Sequence, residues 1–134
     1  MKKDFQKLYA EQDIILDLLV RNGIDLVLSG GTALHRFHLK EKYRYSEDLD
    51  FFTQTDMKEC MEFIEAIKQN KIPYKITNNA EALKQLVVFD NLKIELMQDV
   101  SYNKPSPVKT QKGFLVDSVE TILSNKFECV YSRD

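Results

Sequence analysis

The sequence predicts an α/β (α+β) domain in which a small mixed β-sheet is flanked by helices. Three observations predict it. An amphipathic helical segment opens the chain. A strand, a glycine turn and a helix then lead into a second strand whose acids and apolar residues alternate. A further amphipathic segment precedes two short alternating runs separated by a turn. A length of 134 residues, with 43% hydrophobic and 30% charged, suits one domain and leaves little room for another.

The first helix is predicted over 5–20. Phe5, Leu8, Tyr9, Ile15, Leu16 and Leu19 follow three-four spacing, with Gln12 as a polar lapse, and Asn22-Gly23 supplies the stop. A strand over 24–28 then meets Ser29-Gly30-Gly31-Thr32, where glycines let the backbone bend and approach a ligand closely. A short helix is predicted over 32–39. The next strand runs over 48–53, and its alternation puts Asp48, Asp50 and Phe52 on one face and Leu49 and Phe51 on the other.

Met57, Cys60, Met61, Ile64 and Ile67 mark a second amphipathic helix ending near Asn70, and an extended run follows over 74–77. Strands over 86–89 and 92–97 are joined through Asp90-Asn91, a pair that tolerates positive φ, so they form a hairpin. On the second of these, Lys93 and Glu95 share one face and Ile94 and Leu96 the other. Residues 101–112 hold two prolines and no apolar period, which predicts a loop. A short strand over 113–116 leads to a final helix capped by Ser118, with Val119, Ile122, Leu123, Phe127 and Val130 as its stripe.

Composition excludes more than it identifies. A net charge of −2 gives no global reason to coat nucleic acid or bind an anionic membrane. Cys60 and Cys129 stand far apart without CxxC spacing, and the N-terminus has no secretory segment, so a reduced, cytoplasmic setting is expected. No apolar run approaches the ~20 residues needed to span a bilayer.

The chemistry lies in the order of parts. A D-x-D pair on a strand presents two carboxylates on one face, which suits a hard divalent cation such as Mg²⁺ or Mn²⁺. Exposed N–H groups at Ser29, Gly30 and Gly31, ahead of a helix, suit phosphate oxygens. Taken singly, a glycine turn is usually a turn, and exposed acids are usually solvated. The sequence strand, glycine turn, helix, D-x-D strand is the informative combination, because it supplies both phosphate donors and metal ligands to one nucleoside triphosphate (NTP).

Leu28-Ser29-Gly30-Gly31-Thr32-Ala33-Leu34, with Tyr45-Ser46-Glu47-Asp48-Leu49-Asp50-Phe51-Phe52, resembles the signature of the AbiEii/AbiGii-type nucleotidyltransferase toxins, within the DNA polymerase β-like nucleotidyltransferase superfamily. The resemblance implies a nucleotidyltransferase-like fold and Mg²⁺-dependent transfer of a nucleoside monophosphate from NTP to an acceptor hydroxyl. It implies RNA, tRNA in particular, as acceptor and a cognate antitoxin as partner. Asp48, Asp50 and Glu95 are then the metal-binding and catalytic carboxylates. Ser29, Gly30, Gly31 and Lys126 are the nucleotide-binding groups, Lys126 lying in Ile122-Leu123-Ser124-Asn125-Lys126, similar to the family's asparagine-lysine helix. Helices beyond Asp134 would complete such an enzyme, so 1–134 is expected to be the catalytic core without them.

On the residues alone, Glu95 beside Lys93 suits a solvated strand face as well as metal ligation. Two other functions stay open: a non-catalytic nucleotide- or protein-binding remnant, and a nucleotidyltransferase acting on a small molecule.

Overall fold

The computed structural model describes residues 5–33, 48–53, 57–98 and 107–118. Within them, helix α1 (Phe5–Arg21) is followed by β1 (Val27–Ser29), α2 (Gly30–Thr32), β2 (Leu49–Thr53), α3 (Lys58–Gln69), β3 (Tyr74–Asn79), β4 (Leu83–Val88), β5 (Leu92–Gln98), β6 (Val108–Lys109) and β7 (Leu115–Val116). The strands form one mixed sheet in the order β3-β4-β5-β2-β1-β7-β6. β2 runs parallel to β5 and β1 parallel to β7, while the remaining neighbours are antiparallel. The predicted α/β class holds, with a sheet of seven strands where a small one was expected.

α1 buries Gln12, Ile15, Leu16, Leu18 and Leu19, the face its spacing defines. Its end has a clear cause. Gly23 takes φ +62, its N–H reaches the Val20 carbonyl, and the Ile24 N–H reaches the Leu19 carbonyl, so the last carbonyls are satisfied in a Schellman turn. Ile24 is spent in this cap, which is why β1 starts at Val27 and not at Ile24.

α3 closes in the same way, with Lys71 N–H to Lys68 O and Ile72 N–H to Ile67 O. Here the left-handed position is a lysine, at φ +58. Because an L side chain is disfavoured there, Lys71→Gly is expected to raise stability by about 0.5–1 kcal/mol. Urea denaturation of the two proteins checks it, with an unchanged slope and a higher midpoint expected.

The core lies between the helices and one face of the sheet. Leu28, Leu49, Phe51, Leu86, Val88, Ile94 and Leu96 meet Ile15, Leu19, Cys60, Phe63 and Ile67, and the Phe51 and Phe63 rings pack edge to face at 5.8 Å. β5 shows the division along one strand: Leu92, Ile94 and Leu96 are buried, Lys93 and Met97 exposed, and Glu95 half-buried. The strand pattern thus sends the acids of β2 and β5 to the face opposite the helices. Val27 and Phe52, on that opposite face, are nevertheless buried.

Two local expectations are corrected. The β4–β5 turn places its positive φ on Phe89, at +55, and not on Asp90 or Asn91. Val88 pairs with Leu92, so a three-residue turn brings the strands into register, with Phe89 as its first residue. The stretch predicted as loop over 101–112 contains β6, which pairs with β7 through Val108 and Val116; its short alternating run was hidden by the neighbouring prolines. Most of the helix predicted over 32–39, and the helix predicted after Ser118, lie outside the described residues.

Candidate active site

The acids of β2 are positioned by pairing on both sides. Asp50 stands opposite Ser29 of β1 and opposite Glu95 of β5, and Glu95 stands opposite Gln85 of β4. Side chains at paired positions share a face, so Ser29, Asp50, Glu95 and Gln85 form one row across four strands, each step about 4.8 Å. Asp48 precedes β2 by one residue on the same face. Asp48, Asp50 and Glu95 together line an open pocket of about 460 Å³, with Thr77, Gln85, Val87 and Lys93 on its farther wall.

The row concentrates negative charge where solvent is partly excluded. Burial of the Asp50 carboxyl, with Glu95 and then Asp48 adding repulsion, pushes its pKa from 3.8 to about 6. The native fold therefore binds a proton at Asp50 that the unfolded chain has released by about pH 4. Stability from this group is present at low pH and lost as pH rises through 6. Without divalent cations, the protein should lose on the order of 2 kcal/mol of stability from this source between pH 4 and pH 7, allowing for partial solvent screening. Urea midpoints across that range in wild type and Asp50→Asn check it: the difference between the two should shrink toward low pH.

The glycine turn is built against the same carboxylate. Gly30 has φ +73, and a Cβ on it would stand 2.4 Å from Asp50 Oδ2, so a hydrogen is needed at this position both for the backbone and for the contact. Gly31 follows in α2. Ser29 precedes that helix without a side-chain cap, because its hydroxyl donates to Asp117 Oδ2 at 3.0 Å. Asp117 is 1% exposed and its N–H bonds the Leu28 carbonyl, so it ties the end of β1 to the segment following β7. Thr32 donates from Oγ1 to the Asp48 carbonyl, fastening the glycine turn to the start of β2.

Of the predicted site residues, Asp48, Asp50 and Glu95 are brought to one pocket, with Ser29 and Gly30 beside Asp50. Lys126 lies outside the described residues. Sequence reasoning missed Asp117, Thr32 and Gln85. Asp117 had one faint signal, an acid directly after an apolar strand, whereas the others depend on strand pairing that spacing does not reveal. Cys60 is buried in the core, and burial pushes its thiol up to about 11, as suits a packing residue.

The donor set is all hard oxygen, which fits a divalent cation of the Mg²⁺ type. Among the described residues no three acidic, histidine or cysteine side chains are already drawn around one point. The trio is an open wall, suited to an ion that takes one or two carboxylates and completes its shell with water and phosphate oxygens. None of the described helices is long and apolar enough to cross a membrane.

Comparisons with known proteins agree with this fold. JHP933 from Helicobacter pylori superposes with a TM-score of 0.67 at 21% identity, covering 94% of this chain and 57% of that one. ANT(2")-Ia in complex with adenylyl-2"-tobramycin gives a TM-score of 0.67 at 14% identity, over 94% of this chain and 77% of that one. The Megavirus polyadenylate synthase gives 0.64 at 13% identity, over 90% of this chain and 27% of that one. Identities this low establish the fold alone. The chain spans little more than half the length of the Helicobacter protein. No curated protein matches the sequence significantly. The family model for the nucleotidyl transferase AbiEii toxin of type IV toxin–antitoxin systems matches residues 15–134, nearly the whole sequence, and the chain therefore belongs to the AbiEii nucleotidyltransferase toxin family.

Proposed function

We propose that this chain is the catalytic core of a metal-dependent nucleotidyltransferase that moves a nucleoside monophosphate from NTP to an acceptor hydroxyl on RNA, tRNA in particular, as the toxin of a type IV toxin–antitoxin pair. The observation that carries the reading is the Asp50 carboxylate, flanked by Glu95 on one side and by the Ser29-Gly30 turn on the other. Phosphate donors and metal ligands then serve the same triphosphate. The family description supports the toxin role and an antitoxin partner, and the likeness to a polyadenylate synthase makes an RNA acceptor reasonable.

In this reading Asp48, Asp50 and Glu95 hold Mg²⁺, or Mn²⁺ in its place, which supplies charge neutralisation at the phosphoryl oxygens and a lowered pKa for the acceptor hydroxyl. The backbone N–H groups of Ser29, Gly30 and Gly31 hold the triphosphate, and Lys126 steadies it with an ammonium. The acceptor oxygen forms a bond to the α-phosphorus while the bond from that phosphorus to the oxygen bridging to the β-phosphate breaks. Pyrophosphate leaves, and one of the carboxylates takes the hydroxyl proton. Gly30 keeps the turn close to Asp50, and Asp117 orients Ser29.

Incubating the protein with Mg²⁺, each labelled NTP and total RNA tests the reading. Label on RNA, dependent on Mg²⁺, is expected. If no NTP labels RNA while an aminosugar such as tobramycin is labelled, the acceptor is a small molecule. If nothing is labelled and the protein binds no metal nucleotide, the transferase reading fails.

A further inference from the structure

The pocket beside the carboxylates extends away from the glycine turn, over β5, β4 and β3, where Gln85, Lys93, Val87 and Thr77 line it. Displacement at phosphorus is in line, so the attacking hydroxyl must approach from the side opposite the departing pyrophosphate. On the proposed function above, the pyrophosphate lies on the Ser29-Gly30 side of Asp50. The hydroxyl must then come from the Glu95 side, which is where this pocket opens.

Its wall has the chemistry of a binding surface. Gln85 is half-buried and stands directly opposite Glu95, and none of the described residues receives or donates a hydrogen bond to its side-chain amide. Thr77 is the extra residue of a β-bulge, the pairing jumping from Ile76 with Leu86 to Asn78 with Gln85. Such bulges re-aim side chains, and the Thr77 hydroxyl bonds the Gln85 carbonyl at 3.2 Å, fixing that part of the wall. One step along the strands, Lys75 pairs with Val87 and Val87 with Lys93, so two exposed lysines share this face. Neither forms an ion pair among the described residues. Ammonium groups there attract phosphate and repel a polycationic acceptor.

We propose that this face over β3, β4 and β5 is the acceptor site, taking the end of an RNA strand, with Gln85 positioning the terminal sugar and Lys93 contacting the adjoining phosphate. The donor and acceptor then approach the carboxylates from opposite ends of the row Ser29, Asp50, Glu95, Gln85. Gln85 and Lys93 decide what receives the nucleotide and have no part in holding the NTP.

Fluorescence anisotropy of a labelled 12-nucleotide RNA with a free 3′ hydroxyl, added to the full chain with Mg²⁺ and a non-hydrolysable ATP analogue, tests the assignment. Analogue affinity is measured separately. Lys93→Gln and Gln85→Leu are each expected to weaken RNA binding about 5- to 10-fold, and Lys93→Gln to make the logarithmic salt dependence shallower by about 0.7. The affinity for the analogue should stay the same in both. Unchanged RNA binding in both variants would overturn the assignment, as would an equal loss of analogue binding, which would put these residues on the donor side. Tobramycin binding that tightens in Lys93→Gln would also overturn it, in favour of a cationic acceptor. A wild type that binds the analogue but not RNA overturns the acceptor site and leaves the transferase reading standing; one that binds neither overturns both.

Discussion

Asp50→Asn is expected to lose nucleotidyl transfer by at least about 10³-fold, equivalent to about 4 kcal/mol of transition-state stabilisation, while making the metal-free protein more stable. Both effects have one cause. The Asp50 carboxyl is held at a pKa of about 6 by burial and by Glu95 and Asp48, so keeping it ionised at neutral pH costs the native fold free energy. An amide of the same shape removes that cost and removes the anion that would face a metal. The gain should be on the order of 2 kcal/mol at pH 7 and vanish near pH 4. Denaturation with a chelator present, and a transfer assay at saturating Mg²⁺, measure the two. A less stable Asp50→Asn with activity retained would mean that the carboxylate is structural.

Gly30→Ala should damage both stability and activity by a different route. The residue sits at φ +73, and its new Cβ would lie 2.4 Å from Asp50 Oδ2, inside any allowed contact. The backbone conformation alone costs about 1–2 kcal/mol for an L residue. Relieving the overlap must also displace either the turn or the carboxylate, so a total of about 2–4 kcal/mol is expected. Moving the carboxylate by about 1 Å should cost activity about 100-fold. Gly23→Ala is the matching control, since Gly23 has φ +62 but nothing within 4 Å of a new Cβ. It should lose only the backbone cost of about 1–2 kcal/mol and leave activity intact. Equal losses in the two variants would show that the contact with Asp50 contributes nothing.

Much of the fold was legible because local rules and tertiary packing agree. α1, β2 and β5 bury residues their periodicity selects, and the D-x-D face is the one turned away from the helices; in α3 the buried face is centred on Cys60, Phe63, Ala66 and Ile67, so that Met61 of the predicted stripe is 55% exposed. Other features were not legible because they depend on partners distant in sequence. Glu95 was ambiguous on its own strand, beside Lys93, and pairing with Asp50 sets it in the row. Ser29 had the look of a turn residue, but its hydroxyl is directed to Asp117, 88 positions away. The positive φ at Phe89 shows a local rule losing: hairpin register between Val88 and Leu92 determined the turn, although Asp90-Asn91 had the better residues for it.

The most direct test of the account is a Mn²⁺ titration of the wild-type chain and of Asp48→Asn, Asp50→Asn and Glu95→Gln, in the presence of a non-hydrolysable NTP analogue. Saturable binding by the wild type is expected, weakened at least about 10-fold by each substitution, with circular dichroism unchanged. Equal Mn²⁺ affinity in all four proteins would contradict it, because the three carboxylates would then have no part in holding the ion.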